Sequence, residues 1–69
     1  MNKDDAKAAR KRLNLSTDEL AHLMLISRRT LEGWESGRAI PGPAQVCYVL
    51  LESLSHEQLE IYMDVLMDA

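Results

Sequence analysis

Leu13 to Pro41 reads LNLSTDELAHLMLISRRTLEGWESGRAIP, and this stretch decides the fold. It holds two helix starts close together. Ser16-Thr17-Asp18-Glu19 is a capping box: the Ser16 hydroxyl caps a helix and Glu19 reaches back to it. Leu20, Ala21 and Met24 then recur at helical spacing and face inward. Ser27 caps a second helix running from Arg28 to about Ser36, with Leu31 and Trp34 inward, and Gly37 ends it. Gly37 to Gly42 holds two Gly and a Pro, which forbid regular structure, so it reads as a loop.

Helix signals continue outward in both directions. Ala6, Ala9, Arg10 and Leu13 form a narrow stripe on a first helix over residues 3–13, which Asn14 ends in the left-handed conformation that Asn tolerates. Pro43 suits the first turn of a fourth helix carrying Cys47, Leu50, Leu51 and Leu54. Ser55 and Gln58 make a second capping box, opening a fifth helix with Leu59, Tyr62, Met63 and Leu66 at i, i+3, i+4 and i+7. Ile61, Val65 and Met67 widen that stripe beyond what one small core needs, so the helix is expected to dimerise. No alternating strand pattern extends beyond a few residues. The expected fold is all-α, a five-helix domain over 1–69 with 55–69 its dimerisation helix.

Composition narrows the function. The 69 residues carry 11 acidic against 8 Lys and Arg, a net charge of −3. All eight basic residues lie within 1–42, beside six acids; residues 43–69 hold five acids and no Lys or Arg. One half is therefore suited to meet an anion and the other to avoid it. No apolar run approaches the roughly 18 residues of a membrane span, and no secretion signal is visible. A single cysteine, Cys47, closes no internal disulfide, and a cytoplasmic location is expected. His22, His56 and Cys47 fall on three helices without zinc-type spacing. Nucleophile elbows and glycine-rich phosphate loops are missing. No enzyme activity, metal, cofactor, small-molecule ligand or membrane partner is expected.

The two short helices joined through Leu25-Ile26-Ser27 form a helix-turn-helix arrangement. Ala21 is small where the helices cross, and Ile26 is apolar where the turn meets the core. A helix entering the major groove puts its N-terminal residues against base edges. Here those are Arg28, Arg29 and Thr30, and Arg bonds both acceptors of guanine at once. Two adjacent Arg at a helix start oppose the helix dipole, a cost that favours a DNA role. Glu32 can accept from a cytosine amino group. Ser16, Thr17, Ser27 and Arg38 are the candidates for the DNA backbone, the first two at a helix N-terminus suited to a phosphate. The three aromatics, Trp34, Tyr48 and Tyr62, sit on faces that should be buried or shared, which disfavours RNA.

Leu13–Pro41 resembles the Cro/cI-type repressor family, whose members read as a capped S-Q-x-E-L-A, a turn with G-V-S, a readout helix ending in W-E-x-G, and a loop with Pro. The resemblance spans roughly 6–54. It implies a lambda-repressor-like domain that binds a double-stranded operator as a homodimer and represses. It also implies a buried ion pair between Arg10 and Glu35. Such minimal chains are similar to phage or mobile-element autorepressors, among them anti-CRISPR-associated regulators, and to DNA-binding antitoxins. The first group is preferred, because no segment is left over to neutralise a toxin; an antitoxin or adaptor acting through protein binding is the alternative. Three positions depart from the pattern. Leu25 stands where a Gly is usual, at a place that often needs positive φ. Thr17 replaces a longer Gln. Gly33 stands where a base-reading polar side chain is common, so either that contact is absent or the helix lies unusually close to DNA.

Overall fold

Each of four helices opens on its own side-chain cap. In the computed structural model, which describes residues 1–67 with side chains through Leu66, α1 spans Lys3–Arg12, α2 Thr17–Leu23, α3 Arg28–Glu35, α4 Gly42–Ser53 and α5 His56–Met67. Asn2 and Asp5 exchange bonds of 2.9 and 3.1 Å at the start of α1. Ser16 and Glu19 do so at α2, and Ser55 and Gln58 at α5. The Ser27 hydroxyl accepts from the Thr30 N–H at α3. The exception is α4, where Pro43 in the first turn removes a donor that would otherwise need a partner. Among the described residues there is no strand, and the five-helix, all-α expectation holds. Asp68 and Ala69, the end of the expected 55–69 segment, lie outside the described residues.

The core forms where α1 and α2 both pack on α3, with α4 against α1 and α5 against α2. Leu20, Leu31 and Tyr48 are its largest fully buried side chains. Ala6 and Ala9 are wholly buried, and their small size lets α1 lie close to its neighbours. Burying a leucine such as Leu20 or Leu31 stabilises by about 1.5–3 kcal/mol.

Two stripes differ from expectation. On α4 the buried residues are Tyr48 and Leu51, while Leu50 is 60% exposed. The helix is turned so that the large Tyr48 ring meets Trp34, with centroids 6.5 Å apart and planes tilted by 60°, a favourable edge-on geometry. On α2, Leu23 is buried and Met24, at the C-cap, only partly so.

Both expected left-handed positions are found. Asn14 has φ 58° and Leu25 has φ 55°. Gly37, with φ 118°, ends α3 in a Schellman motif: the Arg38 N–H donates to the Gly33 carbonyl at 2.9 Å and the Gly37 N–H to that of Trp34 at 3.4 Å.

Candidate nucleic-acid interface

The α2–turn–α3 unit is fixed from below. Leu20, Ala21 and Leu23 of α2 and Leu31, Trp34 and Glu35 of α3 are buried. Those three α3 residues share one side of the helix, so Arg29, Gly33 and Ser36 occupy the opposite side. The Ile26 N–H donates to the Ala21 carbonyl at 3.0 Å, which closes the turn.

Glu35 is one of these buried residues, and it meets Arg10 of α1 in a two-pronged pair. Arg10 Nε donates to Oε2 at 2.9 Å and Nη2 to Oε1 at 3.0 Å, while Nη1 donates to the Leu15 carbonyl at 3.2 Å. The hydrogen bonds to Glu35 hold the Arg10 guanidinium above its ordinary pKa, against the opposing effect of burial. The pair ties the base of α3 to α1 and so fixes the angle at which α3 is presented.

The sequence-derived candidates fall into different environments. Arg28 is clamped: Nε donates to Glu32 at 2.9 Å and Nη1 to Asp18 of α2 at 3.1 Å. Glu32 is thus occupied as an acceptor in the free protein. Arg29 and Arg38 are exposed and make no ion pair among the described residues. The Thr30 and Ser27 hydroxyls lie 2.9 Å apart at the N-terminus of α3. Ser16 has both its hydroxyl and its N–H engaged with Glu19, leaving the half-buried Thr17 hydroxyl as the side-chain group on offer there. These capping hydrogen bonds lower the Glu19 pKa.

The α5 stripe divides. Leu59 is buried, and Met63 and Leu66 pack partly buried against the core, whereas Tyr62 is 44% exposed beside the more exposed Ile61 and Val65. The side chain of Met67 lies outside the described residues. Val46, Val49 and Leu50 form a second exposed apolar set on α4 at i, i+3 and i+4. That set was open to a spacing argument, but the stronger Cys47–Leu54 stripe masks it in sequence.

His22, His56 and Cys47 are carried by three different elements, and burial raises the pKa of the half-buried Cys47 thiol. Among the described residues no helix is long and apolar enough to cross a membrane.

A model of the helix-turn-helix family matches residues 7–46, which run from α1 through α2 and α3 into α4. Among curated proteins, the chain is similar to the antitoxin HigA-2 of Vibrio cholerae serotype O1, 38% identical over 58 residues. That match covers 77% of this chain and 56% of the relative, so the chain spans little more than half the relative's length. No solved structure matches at comparable stringency.

Proposed function

The chain belongs to the helix-turn-helix family, and from that premise we propose that it is a sequence-specific DNA-binding transcriptional repressor. It acts as a homodimer on an inverted repeat and controls its own operon. The observation that carries this reading is the outer face of α3, where Arg29 projects unpaired beside the Ser27-capped N-terminus, above a base locked by Arg10 and Glu35. Arg28, Arg29, Thr30 and Glu32 lie toward base edges, and Thr17 and Ser27 toward the backbone, with Ser16 holding the end of α2 in place and the exposed Arg38 a further cation on the same face.

Two copies join through the outward side of α5, with Ile61, Tyr62 and Val65 taking the larger part and the inner residues Leu59, Met63 and Leu66 supporting them. Their readout helices then reach half-sites about 34 Å apart. The acidic second half keeps non-specific binding weak.

The test is titration of duplex DNA from upstream of the chain's own start codon, against a scrambled duplex, at several salt concentrations. Arg28→Ala and Arg29→Ala are expected to lower the operator-to-scrambled ratio. An unchanged ratio in both variants overturns α3 as the reader. Arg29→Ala should have the larger effect, since Arg28 must first leave Asp18 and Glu32.

A second reading is favoured by the 38% identity to HigA-2: an antitoxin that also holds a partner protein. The 1–69 domain is then the DNA-binding part of the activity. Co-expression with the protein encoded beside it separates the two, since growth rescue supports the antitoxin reading and its failure removes it.

A further inference from the structure

Gly33 lies at the middle of α3, on the outward side that it shares with Arg29, and has no side chain to offer. The space is nonetheless filled. A Cβ built on Gly33 would lie 3.4 Å from Nε, Cζ and Nη1 of Arg38. We infer that Arg38 supplies the base-reading group that position 33 lacks: its guanidinium, laid across Gly33, contacts a guanine in the major groove. This rests on the DNA-binding reading above.

The geometry follows from the end of α3. In a Schellman motif the residue after the left-handed glycine folds back onto the helix and touches the residue one turn before the cap. Those two positions are Arg38 and Gly33, joined by the 2.9 Å backbone hydrogen bond. The contact is commonly apolar. Here it sets a charged, planar group against a bare stretch of backbone. The head group lies about one short side chain's length from the Cβ position, where the end of a polar residue rooted at 33 would fall. It is exposed and makes no ion pair among the described residues, so its donors are available.

A phosphate contact needs only charge at the rim of the groove and carries no sequence information. A guanidinium held over the mid-helix face approaches base edges, where its fork matches O6 and N7 of guanine. Arg29 and Arg38 thereby form a pair of unclamped readers on one face, one from the helix itself and one from the chain that follows it. Gly33 is the residue that makes room for the second.

The experiment selects binding sites from duplexes with a randomised centre, using the 69-residue parent, Arg38→Ala, Arg38→Lys and Gly33→Gln, each checked for folding by circular dichroism. The parent should select a guanine in each half-site that Arg38→Ala no longer prefers. Affinity for the best parental duplex should fall by about 5- to 150-fold, the equivalent of one bidentate Arg–guanine contact. Affinity for a scrambled duplex should change far less. Arg38→Lys keeps the charge without the rigid fork and should weaken the guanine preference while retaining scrambled-duplex affinity. Gly33→Gln occupies the seat and offers an amide, which should turn the preference at that position toward adenine.

If Arg38→Ala weakens every duplex by one common factor and leaves the selected sequence unchanged, Arg38 is a phosphate contact and the inference is wrong, with the DNA-binding reading intact. A parent that selects no sequence overturns both.

Discussion

Replacing Arg10 with Met should strand Glu35. The carboxylate side chain is 9% exposed and receives both of its hydrogen bonds from one guanidinium, at 2.9 and 3.0 Å. Breaking a buried pair by removing one partner typically costs about 3–5 kcal/mol. Arg10 itself is 19% exposed, so water reaches part of the pair and the lower end applies, about 3 kcal/mol. A chain of this size has roughly 3–10 kcal/mol in total. Arg10→Met should therefore lower Tm by about 12–24 °C. The double variant Arg10→Met/Glu35→Leu removes the stranded charge and should recover most of that loss. It should remain about 1 kcal/mol below the parent, because the Leu15 carbonyl still loses its donor. Urea denaturation of the parent, both single variants and the double gives the coupling directly. Two results refute the reasoning: an Arg10→Met midpoint equal to that of the parent, or a double variant that costs the sum of the singles.

Leu25→Gly should raise stability by about 1 kcal/mol in thermal denaturation, because Leu25 has φ 55° and is 73% exposed, so the change relieves backbone strain and gives up little burial; a lower Tm would contradict this. Tyr48→Phe should be neutral or stabilising despite the full burial of the ring, since its hydroxyl has no protein hydrogen-bond partner among the described residues. The same burial, aided by the charge of Glu35, pushes the Tyr48 pKa up to about 12 from 10, so stability should be fully present below pH 10 and fall as pH rises toward 12, a loss absent in Tyr48→Phe. The lowered Glu19 pKa works at the other limit: its contribution is present above the ordinary pKa of 4.5 and lost as pH falls through the lower folded value, and Glu19→Gln, which still closes the capping box, should flatten the acid limb of a pH–stability curve.

The local part of this structure was legible in sequence because it is written locally. Ser16 with Glu19, Ser55 with Gln58, Ser27 at the head of α3 and Gly37 at its end each act within one turn. So do the positive φ of Asn14 and Leu25, the second expected from the resemblance to repressors. The meeting of Arg10 and Glu35, 25 residues apart, was also expected from that resemblance and is seen at 2.9 Å. What escaped depends on rotation or reach. The turn of α4 that buries Tyr48 and exposes Leu50 is set by Trp34 on another helix. The clamp on Arg28 needs Asp18 brought across from α2; only the Glu32 half, at i+4, had a sequence signal. The seat that Gly33 provides for Arg38 requires the chain to reverse at Gly37 first.

The separate caps on four helices also bear on time. Helices that each start from a signal within their own first turn, joined by short turns, make mostly near-neighbour contacts, and chains of that kind fold in microseconds to milliseconds. Opening and reclosing are then fast relative to cleavage by a protease, so survival is governed by the equilibrium share of unfolded chain rather than by a slow unfolding step. For a domain this small that share responds strongly to anything that binds only the folded form. On the function proposed above, a copy bound to DNA or to a second copy should outlive a solitary one, so that the lifetime of the chain would report on its engagement.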